Sequence, residues 1–199
     1  MAEAATVDDT LPRARRERRE RIIEATKALA TKGGYDAVQM RDVAEKAEVA
    51  LGTLYRYFPS KVHLLITVLQ ESTAQMARAV ERREIAGATP ADRVIEILRG
   101  STAAMQRNPG LTEAMTRALM FADNSAAADV DRVTEYTAIA IRHAIESGDG
   151  ADLDYDADVI ARIIGEVWWS NLLGWLSGRL SASQMTERIE VAARLILRD

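Results

Sequence analysis

Apolar residues recur along this chain at three- and four-residue intervals almost from end to end, the period of a helix with one buried face. Ile22, Ile23, Ala25, Thr26 and Leu29 share a face of a first helix, which the Gly33-Gly34 pair stops. Tyr35, Val38 and Met40 lead into a shorter pattern in which Val43, Ala44 and Ala47 fall together. A tight connection, Glu48 to Gly52, joins it to a second short helix whose Leu54 and Phe58 share a face. Pro59 ends that helix and Ser60 is placed to cap the next. Ser60 to about Arg83 reads as one long helix carrying Leu64, Leu65, Val68, Leu69, Met76 and Val80. Roughly 24 residues at 1.5 Å each give ~36 Å, enough to reach from a head into a second domain.

Five further helical patterns follow, over residues 90–107, 111–122, 125–147, 154–179 and 183–197. Thr89 and Pro90 stand as an N-cap followed by proline at the first helical position, Asn108-Pro109 breaks the chain, and SGDGADLD from Ser147 is a glycine–acid loop. No β-alternation or internal repeat interrupts this series. The pattern predicts an all-α protein of nine helices: a disordered start at residues 1–12, a three-helix head at 13–60 and a six-helix body at 61–199.

Within the head, two short helices crossing on small residues make a helix-turn-helix, with Ala44 at the point of closest approach. The outward face of the second helix carries Thr53, Arg56 and Tyr57, with Tyr55 beside them, groups that hydrogen-bond to base edges or phosphate oxygens. Net charge is −4, which by itself argues against a polyanionic partner. The distribution reverses that reading: residues 11–61 hold twelve Lys/Arg against seven Asp/Glu, whereas residues 62–199 hold fourteen against twenty. Basic charge is therefore segregated onto the segment with the helix-turn-helix, as in a DNA reader. Six arginines, Arg13, Arg15, Arg16, Arg18, Arg19 and Arg21, crowd the start of the head. They read either as a solvated helix face or as an arm that docks on phosphates or enters a minor groove, and proximity to the helix-turn-helix favours the arm.

Absence of cysteine excludes disulfides and thiolate metal sites and suits a cytoplasmic protein. The apolar runs are short or broken by charge, so no membrane span is expected, and the acidic start MAEAATVDD is unlike a signal peptide. Two histidines, His63 and His143, stand some eighty residues apart without partners at ligand spacing, and no P-loop, G-x-G-x-x-G, H-E-x-x-H or G-x-S-x-G motif occurs. Neither an enzyme, a cofactor nor a metal is expected.

The run G-T-L-Y-R-Y-F-P-S-K from Gly52 to Lys61, the Lys32-Gly33-Gly34-Tyr35 turn and the Val43-Ala44 pair together resemble the head of the TetR family of transcriptional repressors. Two positions depart from the family pattern: Glu48 stands where most members have glycine at the turn, and Ala50 where most have the capping serine. Three body segments resemble a narrower group, the TetR-type repressors of cholesterol and steroid catabolism in actinobacteria: M-Q-R-N-P-x-L-T-E-A-M-T-R-A at 105–118, F-A-D-x-S-A-A at 121–127 and S-N-L-L-x-W-L at 170–176.

The resemblance implies a homodimer on a palindromic operator, released by a small hydrophobic effector. It gives Thr53 and Arg56 as base readers, Tyr55, Tyr57, Lys61, Arg41 and Gln39 as further DNA contacts, Gly52 as a point of close backbone approach, and Arg13, Arg15, Arg16 and Arg18 as the arm. Small Gly165, Ser170, Gly174 and Ser177 suit a dimer seam on the Trp-rich helix, with Ile189 and Leu195 on the last one. The implied effector is a steroid-degradation intermediate or its CoA thioester. Leu69, Thr73, Met76, Leu98, Thr102 and Met105 are expected to line its site from the first body helices. Met115, Leu119, Phe121, Trp168, Asn171 and Trp175 complete the lining, with Arg78, Arg82, Arg99 and Arg107 near its mouth. Two other readings stay open on the residues alone: a helical small-molecule carrier with a vestigial head, and a regulator of this type answering to a different hydrophobic ligand or to none.

Overall fold

In the computed structural model, residues 13–148 and 156–197 are described. The expected disordered start at 1–12, and most of the glycine–acid loop, lie outside them. The described residues form nine α-helices and one short 3-10 turn: α1 Arg13–Ala37, α2 Met40–Lys46, α3 Leu51–Tyr57, α4 Lys61–Glu81, α5 Pro90–Arg107, α6 Pro109–Met120, α7 Ala127–Glu146, α8 Ala157–Leu176 and α9 Ala182–Ile196. None is long and apolar enough to cross a membrane. By packing they fall into two units, residues up to Val68 with Gly110–Phe121, and Leu69–Pro109 with residues from Ala122 onward. The division expected at residues 60/61 was contiguous. The observed one is not, because α6 packs with the head.

The first unit is built on the apolar faces the sequence predicts. Ile22, Ile23 and Ala30 of α1, Val43 and Ala44 of α2, Leu54 and Phe58 around α3, and Leu64 and Leu65 of α4 are all buried. Gly34 explains how α6 reaches α1. It adopts a left-handed φ of 66°, and a Cβ there would lie 2.4 Å from the Glu113 carboxylate. That carboxylate accepts the Tyr35 backbone N–H at 2.7 Å. Gly110, opposite Ala30, allows equally close approach, since its Cβ would sit 2.8 Å from the Ala30 carbonyl oxygen.

The turn of the helix-turn-helix is a Schellman closure. Glu48 N–H donates to the Glu45 carbonyl at 3.1 Å and Val49 N–H to that of Ala44 at 3.0 Å. This puts Glu48 at φ 54°, the left-handed position where the family favours glycine. Ala50 is the α3 N-cap, in extended geometry and with no side-chain cap. Gly52 belongs to α3 rather than to the turn, a correction to the expected connection.

In the second unit α5, α7, α8 and α9 surround one core of Val94, Ile95, Leu98, Ile141, Ile145, Ile164, Trp168, Leu172, Met185 and Ile189. Thr89 and Asp92 form a capping box at α5, Asp156 caps α8, and Ser181 and Gln184 form a second box at α9. Arg93 is buried and held by carbonyls instead of a carboxylate. Its guanidinium donates to the Ala144 and Ile145 carbonyls at 2.9 and 3.1 Å, closing the C-terminus of α7, where a positive charge also meets the negative end of the helix dipole.

Candidate nucleic-acid interface

Helix α3, about 10 Å long at 1.5 Å per residue, presents a different surface from the rest of the head. Gly52, Tyr55 and Arg56 are exposed, and Thr53 and Tyr57 are half-buried. Nothing lies within 4 Å of where a Gly52 Cβ would be, so the backbone there is open to a close partner. An open groove flanks the helix on each side. One, of about 720 Å³, is lined by Gln39, Met40, Arg41, Asp42, Tyr55, Pro59, Ser60 and Lys61. The other, of about 460 Å³, is lined by Ala14, Arg15, Arg18, Thr53, Arg56 and Tyr57, three guanidiniums with no carboxylate among them.

The arginine cluster is helical from Arg13 onward, and its Arg15 and Arg18 border α3. Arg15 stacks over the Tyr57 ring at 5.7 Å, and Arg19 over Phe58 at 6.0 Å. Arg21 donates to the Ala47 carbonyl at 3.3 Å, tying α1 to the turn. Arg13 is exposed and paired with Glu17 at 2.7 Å, and Arg16 is half-buried outside the groove. Cations at the start of a helix oppose its dipole. The dipole gives the folded chain no reason to place arginines there, whereas an approaching polyanion gains from both the charge and the dipole.

Lys61 is differently engaged from a free phosphate-binding side chain. Its ammonium sits 3.8 Å from the centre of the Tyr35 ring, which Arg117 also approaches at 4.6 Å. Burial pushes the Lys61 ammonium below the usual lysine range, with Asp36 opposing, Arg117 adding and Glu113 opposing. Arg117 bridges Asp36 at 2.9 Å and Glu113 at 3.0 Å, and those two hydrogen bonds raise its own pKa. Sequence reasoning did not foresee this bracing by Tyr35, Asp36, Glu113 and Arg117, whose partners lie 78 and 81 residues apart. Arg41 is exposed, while the Gln39 amide donates to the Asp36 carbonyl at 2.9 Å. Ser60 takes up its expected cap, accepting the His63 N–H at 3.3 Å.

The residues expected around an effector are divided between the two units. Leu69, Thr73, Met76, Leu98, Thr102, Met105, Trp168, Asn171 and Trp175 belong to the second unit, but Met115, Leu119 and Phe121 belong to the first. Phe121 is exposed and packs on Tyr35 at 5.6 Å between ring centres. Trp168 is fully buried, its indole N–H donating to the Thr102 hydroxyl at 3.1 Å, and the Asn171 amide donates to the Val167 carbonyl at 2.8 Å. The Trp168 indole and the Asn171 amide thus have partners within the unit. Arg99 of the expected mouth is paired with Glu190, and Arg78, Arg82 and Arg107 are exposed.

Of the expected seam, Ser170, Ser177 and Leu195 stand apart from the core, all three exposed. Gly165 lies against Thr137 and Ile141, Gly174 lies against Leu180, and Ile189 is in the core, so these three serve packing within the protomer. Among the described residues no group of three or more metal-ligating side chains occurs.

Two family profiles match the chain: "bacterial regulatory proteins, tetR family" over residues 22–68, and "tetracyclin repressor-like, C-terminal domain" over residues 87–196. The HTH-type transcriptional repressor KstR of Mycobacterium tuberculosis is 50% identical over 186 residues, covering 94% of this chain and 83% of that protein. Among solved structures, a TetR transcriptional regulator from Rhodococcus sp. RHA1 superposes with a TM-score of 0.81 at 28% identity, over 94% of this chain and 98% of that one. FadR of Thermus thermophilus, a TetR-family repressor solved in complex with lauroyl-CoA, shares the fold at TM-score 0.70 and 23% identity, over 90% of this chain and 93% of that one. Two profiles that together span most of the chain, and half of the aligned residues shared with a repressor, place it plainly: it belongs to the TetR family of bacterial transcriptional regulators.

Proposed function

We propose that the chain is a ligand-responsive repressor that binds a palindromic operator as a homodimer and is released by a steroid-degradation intermediate or its CoA thioester. The observation that carries the DNA reading is the α3 surface, exposed and bordered by a groove holding Arg15, Arg18 and Arg56 without a carboxylate. The N-terminal end of α3 enters the major groove. Arg56 reads a base edge there, and Tyr55, Tyr57 and Arg41 contact phosphates. One such head contacts few base pairs. Two related by a two-fold axis read half-sites about 34 Å apart or a multiple of it.

The dimer reading rests on apolar side chains left in solvent by the protomer. Val159 and Ile163 of α8 lie one turn apart with Ser170 on the same face, and Val191 and Leu195 lie one turn apart on α9. Support for the effector comes from the body segments resembling steroid-catabolism repressors and from the lauroyl-CoA complex of the Thermus relative. An effector in the body releases DNA by favouring a spacing of the two heads that cannot fit both grooves.

The test is a mobility-shift titration on the chain's own upstream DNA, with and without sterol catabolites and their CoA thioesters. A specific shift reversed by the thioesters is expected. A specific shift that no sterol derivative reverses overturns the effector, and the absence of any specific shift overturns the repressor reading as a whole.

A further inference from the structure

Threonine hydroxyls on the helices of this protein mostly bond to the carbonyl four residues back. Thr26 donates to Ile22, Thr67 to His63, Thr116 to Thr112 and Thr137 to Val133, at 2.8 to 2.9 Å. Thr53 differs because it is the third residue of α3, and the residue four back, Val49, lies before the helix. Its Oγ1 instead accepts a hydrogen bond from Arg56 Nη2 at 3.3 Å, one turn further on. Both side chains line the same basic groove.

We propose that Thr53 is a positioning residue for Arg56: its hydroxyl holds the guanidinium so that the outward fork faces a base edge, and Thr53 itself reads no base. This rests on the DNA reading given above. A guanidinium has five N–H donors, and one spent on Thr53 leaves Nη1 and the second Nη2 proton free for a bidentate contact with the N7 and O6 of guanine. An exposed arginine loses much rotamer freedom when it docks, and a partner that restrains it beforehand lowers that loss. The competing role for Thr53 is direct, its methyl group against the methyl of thymine.

The two roles separate in a selection from a randomised duplex library, using the full chain and its Arg56→Ala, Thr53→Val, Thr53→Ser and doubly substituted Thr53→Val/Arg56→Ala forms. Thr53→Val keeps the shape and the methyl but not the acceptor, whereas Thr53→Ser keeps the acceptor but not the methyl. Positioning predicts that Thr53→Val relaxes the same base position as Arg56→Ala, cutting selectivity there roughly 3- to 10-fold, the worth of one net hydrogen bond. Thr53→Ser then retains the preference, and the double form is no worse than Arg56→Ala alone. Relaxation at a different position in Thr53→Ser, or an unchanged profile in Thr53→Val, overturns the positioning role while leaving Arg56 as a reader. If Arg56→Ala leaves every base preference unchanged, base reading by Arg56 fails and the role of Thr53 fails with it.

Discussion

Glu48 and Ala50 are the two residues at which the head departs from its family, and the structure gives each departure a cost. Glu48 holds a left-handed φ of 54°, a conformation that disfavours side chains by about 1–2 kcal/mol. Glycine there loses about 0.5–1 kcal/mol of that gain to the entropy of the unfolded chain. Glu48→Gly should therefore stabilise the head by at most about 1.5 kcal/mol. Ala50 has the extended N-cap geometry, φ −64° and ψ 141°, and its carbonyl accepts the Thr53 and Leu54 N–H groups, but it has no side-chain oxygen to cap the start of α3. Ala50→Ser should add about 1 kcal/mol. Denaturant melts of both variants check the pair. A loss of stability in Ala50→Ser would show that the first N–H groups of α3 already have a partner the serine displaces. The departures themselves were legible in the sequence, because cap and turn chemistry is local. Lys61 was not, since its aromatic and acidic surroundings come partly from α6.

At the scale of the element, α1 holds a basic face against its own dipole and α5 holds a box that titrates. Deleting residues 1–16 removes Arg13, Arg15 and Arg16, and with Arg15 the stacking on Tyr57. Operator affinity should fall, and the slope of log K against log salt should flatten by about 0.9 for each phosphate that is no longer neutralised. An identical slope would return these arginines to solvent. On α5, the Asp92 carboxylate is held below the usual range by its hydrogen bonds with Arg194 and Thr89. Folded, it binds a proton more weakly than unfolded, so its contribution is full above the unfolded value of about 3.9 and is lost as pH falls through the lower folded one. Asp92→Asn should lower the melting temperature at pH 7, with the gap closing in acid. A constant gap from neutral to acid pH would mean that the charge contributes nothing.

Helical period, glycine stops and capping residues located the nine described helices to within a few residues, and Thr89-Pro90 opened α5 as expected. What they did not give is which unit α6 joins. Met115, Leu119 and Phe121 have the spacing of any amphipathic helix, whereas Gly34, Gly110, the Glu113 carboxylate and the Arg117–Asp36 pair fix the helix to α1. A pairing across 78 residues leaves no periodic trace. The same limit made Gly165 and Gly174 look like seam residues, since small side chains permit close approach to any neighbour, including one in the same chain.

For the whole molecule, the unpartnered apolar side chains of α8 and α9 decide how it assembles. Ile163 and Leu195 are 42% and 55% exposed in the protomer, so replacing them should leave its fold intact. In a two-fold dimer each would appear twice in one interface. Burial of such a side chain contributes about 1.5–3 kcal/mol when complete, and a charge in its place adds a desolvation cost. Ile163→Asp combined with Leu195→Asp should therefore weaken association by well over a hundredfold, at roughly 1.4 kcal/mol per factor of ten. Sedimentation equilibrium should show a monomer with unchanged helical circular dichroism. Binding to the full operator should fall to that of a single half-site, with a correspondingly shallower salt dependence. A doubly substituted protein that still sediments as a dimer would place the interface on another surface, and one that is monomeric yet binds the full operator as tightly would remove the need for two heads.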